Sequence, residues 1–308
     1  MPELLQGLSA FPLTPVPAGR FDESSFARII HGIVAAGTDS IGVLGSTGSY
    51  MYLDRSVRAR AVRTAVREAA GVPVIAGIGA IGTDQVLAHA EDAQAAGAAA
   101  VLLAPVTYQA LSPDEVQGLF ADVCAQLSVP LVVYDNPATT HVQLSTDLYG
   151  RLAELPHVAA VKIPPFTTGG ADAAAARARI AEVRAAVGSR VRIGISGDAV
   201  GALGLVSGCD LWFSAIGGIL PAVCTDIVTR AREGRPEEAL DASRRLAPLW
   251  RLLAVHGSLR LSQAVGELLG IVPAGSLPRP VRGLAGADLA AVAEALRECR
   301  LLPRPEGH

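Results

Sequence analysis

The sequence predicts an α/β protein, a (β/α)8 TIM barrel with a C-terminal helical extension. Three observations carry this: short apolar runs recur along the 308 residues, amphipathic stretches separate them, and the count closes at eight. The main alternative, an open doubly wound sheet, lacks its usual support, because no GxGxxG follows the first run. Composition agrees with closely packed helices over a parallel sheet: half the residues are hydrophobic and only 4% are aromatic.

The predicted strands, in order, are GLSAF (7–11), SIGVL (40–44), PVIAG (73–77), AAVLL (99–103), PLVVY (130–134), VAAVK (158–162), RIGIS (192–196) and DLWFS (210–214). Helix starts fall between them. Asp22, Asp54 and Thr83 open three helices, and Ser112 opens a fourth with Pro113 at its first position. Gly37, Gly71 and Gly97 supply left-handed stops. The eighth helix is expected over 220–233, so the barrel occupies 1–234. Residues 235–308 carry no strand pattern and are too apolar for a linker. They read as helices packed on the barrel or at a subunit contact.

A net charge of -3 provides no basic face for nucleic acid or anionic membrane. No apolar run approaches the roughly 18 residues of a membrane span, and the start MPELLQGLSAF lacks the pattern of a signal peptide. Cys124, Cys209, Cys224 and Cys299 are scattered and read as reduced, packed thiols of a cytoplasmic protein. His31, His89, His141, His157, His256 and His308 show neither HxH nor HExxH spacing, so no metal site is expected.

One count is sharper. Of 26 basic residues, a single one is lysine, Lys162. Arginine can replace lysine wherever only a surface cation is needed, but guanidinium cannot supply a neutral amine. Lys162 also ends the sixth strand, and active sites of such barrels lie at the C-terminal ends of the strands. A free lysine titrates near 10.4; lowering that by about 3 pH units costs roughly 4 kcal/mol, within reach of desolvation. Ile163, Pro164, Pro165 and Phe166 follow it, with no carboxylate to hold the charged form. The plainer alternative is a strand-end lysine reaching for water. The same rim holds Gly45-Ser46-Thr47-Gly48-Ser49, whose hydroxyls and backbone N–H groups suit a small anion. It also holds Tyr134, a phenol able to relay a proton or simply a ring filling the barrel, and Ser196-Gly197-Asp198 after strand seven.

Together these residues resemble the dihydrodipicolinate synthase/N-acetylneuraminate lyase family of Schiff-base aldolases. The matching features are Leu13-Thr14-Pro15 with GRFDESSF, GSTGS for the family's GTTGE, AGAAAVLLAPVTY, YDNPATT for YNxP, VAAVK and SGDA. The resemblance implies that Lys162 forms an imine with pyruvate or another 2-oxo acid, Tyr134 shuttles protons, and Ser46 joins the relay. It assigns substrate binding to Ser46, Thr47, Gly48, Tyr108, Thr139 and Phe213, with Tyr108 matching a tyrosine lent to a neighbouring subunit. It also implies no metal or organic cofactor, small 2-oxo acid and aldehyde substrates, and a homo-oligomer, dimer or tetramer.

Departures narrow the expectation. Thr139 stands where dihydrodipicolinate synthases carry an arginine for the second substrate's carboxylate, and Ser49 replaces the Glu of GTTGE. Losing an Arg–carboxylate contact removes about 1.5–3 kcal/mol. The acceptor is therefore expected to be less anionic and not aspartate semialdehyde. A sugar-acid dehydratase working through the same imine is one alternative; a catalytically silent, metabolite-binding barrel is another.

Overall fold

The computed structural model describes residues 4–166 and 172–303; His308 lies outside them. Eight parallel strands close into one barrel, each paired with its sequence neighbours and β1 with β8. They are β1 (Gly7–Ala10), β2 (Ser40–Val43), β3 (Val74–Gly77), β4 (Ala100–Leu103), β5 (Leu131–Tyr134), β6 (Val158–Ile163), β7 (Arg192–Ser196) and β8 (Leu211–Ser214). Each lies within a residue of its predicted span.

The helices on the outside are α1 (Glu23–Ala35), α2 (Arg55–Glu68), α3 (Thr83–Ala95), α4 (Pro113–Cys124), the single turn α5 (Pro137–Thr140), α6 (Thr146–Ala153), α7 (Ala173–Val187), α8 (Asp198–Val206) and α9 (Pro221–Arg232). Their ends follow the side chains that cap them. Asp22 and Asp54 accept from the backbone N–H groups of Ser25 and Val57, and Ser112 and Glu115 cap one another reciprocally. Gly37, Gly71 and Gly97 take φ of 69°, 90° and 86° after α1, α2 and α3. One start differs: Gly82 occupies the cap position of α3 and Thr83 is its first helical residue, with the side-chain Oε1 of Gln85 accepting from Gly82 N–H.

Side chains alternate across each strand. One set, including Phe11, Ile75, Leu102, Val132, Tyr134, Ala160, Leu211 and Phe213, forms a cluster of its own on the barrel axis. The other set packs outward against the helices. Lys162 lies two residues beyond Ala160 and so shares its inward face. Not every arginine is at the surface: Arg58 of α2 is buried, donates to the carbonyls of Gly77 and Gly79, and lies over the Tyr50 ring.

After α9 come α10 (Pro236–Arg244), α11 (Ala247–Leu268) and α12 (Gly286–Glu298). The first packs on α8 and α9, the second on α8 and α12. Among the described residues no helix is long and apolar enough to cross a membrane.

Candidate active site

Register brings Lys162 opposite Tyr134 on one side and Gly194 on the other. Glycine at 194 matters because a Cβ there would overlap the Phe213 ring, and a Cβ at Gly42 would overlap Phe11. With those positions empty, Phe11 and Phe213 meet edge to face, centroids 5.8 Å apart, inside the barrel. The Lys162 amine ends in this well. Its Nζ lies 4.0 Å from the Tyr134 ring centre, 4.2 Å from Phe11 and 5.3 Å from Phe213.

Lys162 is only 5% exposed. Aromatic faces favour a cation, but the loss of hydration outweighs them. Burial pulls its pKa from an ordinary 10.5 to about 7, opposed by the charge of Asp198. The expectation that no carboxylate acts on this amine therefore needs correction. None follows it directly in sequence, yet Asp198, just past the end of the neighbouring strand β7, acts on it through space. Asp198 is buried, accepts from Ser214 Oγ at 2.6 Å and Ile216 N–H at 3.2 Å, and is raised to about 6, mainly by burial.

The Tyr134 phenol is raised to about 12, by burial first, with the Ser46 contact acting the other way. Ser46 Oγ stands 3.4 Å from Tyr134 Oη and accepts from Asn136 Nδ2 at 3.0 Å. Accepting that bond leaves the serine's own proton free to be directed at the phenol or at a guest. Asn136, on which sequence reasoning placed no role, is thus the residue that orients Ser46.

The loop after β2 is bent sharply. Leu44 and Ser49 both have positive φ, 59° and 58°, an uncommon conformation for these residue types. Gly48 lies against the Leu44 backbone, with room for no Cβ. Thr47 is buried and its Oγ1 is 3.0 Å from Ser258 Oγ of α11.

Of the predicted site residues, Lys162, Tyr134 and Phe213 meet in the well, with Ser46 at its edge. Gly48 shapes the loop that carries Ser46 and Thr47. Thr139 is at the mouth, sharing a cavity with Ser46. Tyr108 stands apart from them, 85% exposed on the loop after β4. Phe11 was missed as a site residue although it closes the first apolar run.

Similarity to known proteins agrees with this architecture. The sequence profile of the dihydrodipicolinate synthetase family matches residues 4–299. The chain belongs to that family. A 4-hydroxy-tetrahydrodipicolinate synthase of Thiobacillus denitrificans is 30% identical over 290 residues, covering 92% of this chain and 93% of that protein. One from Hyphomonas neptunium is 31% identical over 247 residues, covering 78% and 80%. The crystal structure of dihydrodipicolinate synthase from Agrobacterium tumefaciens superposes with a TM-score of 0.91 at 39% identity, over 97% of this chain and 99% of that one. The protein is accordingly an enzyme of the aldolase/lyase type that defines its family.

Proposed function

We propose that this enzyme makes or breaks a carbon–carbon bond through an imine between Lys162 and pyruvate or another 2-oxo acid. The observation that carries the proposal is the sole lysine of the chain, buried among Phe11, Tyr134 and Phe213 with a pKa near 7. An amine that is half neutral at physiological pH is a competent nucleophile, whereas a silent binding barrel needs no such group.

In the synthetic direction the Nζ lone pair adds to C2 of the 2-oxo acid. The carbonyl oxygen takes up protons and leaves as water, giving the imine. Loss of a proton from C3 gives an enamine, whose C3 attacks the aldehyde carbon while the aldehyde oxygen is protonated. Hydrolysis of the new imine frees product and Lys162. Tyr134, with Ser46 held by Asn136 beside it, carries the protons. Thr47, Gly48 and the loop backbone receive the 2-oxo acid's carboxylate, and Phe213 walls the well. Thr139 faces the acceptor, which is not aspartate semialdehyde in this reading, since the family's arginine is absent there.

Tyr108, exposed in the single chain, fits a homo-oligomer in which it reaches a second subunit. Four free cysteines, three of them buried, suit the reducing cytoplasm.

Borohydride reduction in the presence of pyruvate tests the imine. The expected result is a stable reduced adduct on the peptide carrying Lys162, absent from Lys162→Arg. A reaction in which a reference aldolase is trapped and this enzyme never is would overturn the mechanism. Incubating the trapping-competent enzyme with sugar acids and assaying for pyruvate separates cleavage from simple dehydration, which leaves the carbon chain whole.

A further inference from the structure

The long helix α11 is interrupted at Gly257, where φ is 76° and ψ is 163°. Such a conformation is open essentially to glycine alone, so the break is fixed by this residue. It brings the segment His256–Arg260 against the barrel mouth. There it helps to line a cavity of about 310 Å³ whose lining also includes Ser46 and Thr139. The segment is tied down at Ser258, whose hydroxyl is 3.0 Å from that of Thr47.

Arg260 is the one fixed charge on the lining of this cavity, which holds no carboxylate among the described residues; His256 lines it too. His256 already faces Asp288, at 3.9 Å. Arg260 spends its Nε–H on the carbonyl of Arg282, at 3.2 Å, which fixes the plane of the guanidinium and leaves its terminal nitrogens for another partner. The volume suits a small metabolite portion beyond the 2-oxo acid itself.

We propose that Arg260 is the specificity-determining cation of this enzyme, binding a second carboxylate at the end of the substrate remote from the imine carbon. The inference rests on the Schiff-base reading above. It replaces the sequence-based expectation of a less anionic acceptor. The cation that position 139 does not provide comes instead from the helical extension, which lines the same cavity, and the substrate class is a 2-oxo acid with a carboxylate at each end. An Arg–carboxylate contact at a different place in the mouth selects a different chain length from one at 139, which is consistent with an acceptor other than aspartate semialdehyde.

The test uses competition against pyruvate trapping by borohydride. The competitors are two dicarboxylic 2-oxo acids, 2-oxoglutarate and 2-oxoadipate, and the singly charged 2-oxohexanoate. For the native enzyme, at least one dicarboxylate should half-saturate at a concentration about tenfold or more below that of 2-oxohexanoate, the ratio expected of one charge-assisted contact. Arg260→Gln should collapse that ratio toward one, and Arg260→Lys should keep part of it. Reading a ratio within each variant removes any shared loss of stability or of active protein. A native enzyme without the preference, or an Arg260→Gln variant that retains it, overturns the inference while leaving the imine intact. Absence of any pyruvate adduct in the native enzyme instead defeats the Schiff-base reading on which it stands.

Discussion

The two ends of the barrel handle buried charge in opposite ways. At the N-terminal end, Asp39 accepts from Leu8 N–H and Arg232, and Asp210 accepts from Ile193 N–H, Arg184 and Arg192. Each carboxylate there is matched by guanidinium and backbone N–H groups. At the C-terminal end Lys162 sits among aromatic rings with its ammonium disfavoured, and Asp198 is pushed up to about 6. The floor satisfies its ions; the mouth keeps its ions uncomfortable. The floor is where the fold holds its stability, and the mouth is where it gives some up for reactivity.

The largest effect that could break this contrast is at Tyr134. Tyr134→Phe keeps the ring 4.0 Å from Nζ but deletes the phenol facing Ser46. Exchange of the pyruvate methyl protons for deuterium, followed by NMR, reads proton transfer at C3 without any acceptor. It should slow by about 10²–10⁴-fold, the usual contribution of a positioned acid–base group. An undiminished rate would reduce Tyr134 to a wall of the well.

Lys162→Met measures what the mouth gives up. Lys162 titrates near 7 in the folded protein and near 10.5 when free. Between those values the unfolded chain binds more protons, so native stability rises with pH from about 7 to 10.5 and is lowest below 7. Removing the amine relieves the penalty. The variant should be more stable by roughly 5 kcal/mol at pH 6, with the gain fading to nothing above 10.5. Denaturant midpoints at pH 6, 8 and 10.5 check it, and a gain independent of pH would trace instead to better packing. Pyruvate trapping in the native enzyme should climb through pH 7 for the same reason.

Much of this was legible in the chain. Strand positions followed from apolar runs, since a parallel barrel buries both faces of its strands. Asp22, Asp54 and Ser112 act as caps through local geometry, which sequence contains. Lys162 was conspicuous by count and by its place at a strand end. What was not legible depends on closure. That Asp198 would act on Lys162 is decided by the register between β6 and β7, and that Phe11 at the end of β1 would meet Phe213 of β8 by the closure of the barrel. The roles of Gly42 and Gly194 are likewise visible only once the rings they make room for are in place. The break at Gly257 was hidden because one glycine within a helical pattern is commonly tolerated. Its consequence, Arg260 of the extension lining the same cavity as Thr139, is visible only in the folded chain.

The smallest effect is expected at the floor, and it sharpens the contrast most. Asp210 is mostly buried, while its partners Arg184 and Arg192 remain about a third exposed. Removing the carboxylate therefore strands the Ile193 N–H more than it strands the guanidinium groups, which can turn to water. Asp210→Ala should cost about 1–3 kcal/mol, the usual penalty for a buried donor left unpaired, read as a fall of a few degrees in Tm. Asp210→Asn keeps an acceptor for Ile193 N–H and discards the charge. If it recovers most of the loss, the backbone bond is what the floor needs, and the arginines contribute the modest amount typical of partly exposed pairs. If Asp210→Asn is as damaging as Asp210→Ala, the charge itself holds the strand ends. In both variants pyruvate deuteration measured well below Tm should stay within about twofold of native, a change of less than about 0.5 kcal/mol in the barrier. A floor substitution that slowed exchange tenfold without lowering Tm would mean that the two ends of the barrel are coupled, and the division of labour between them would fail.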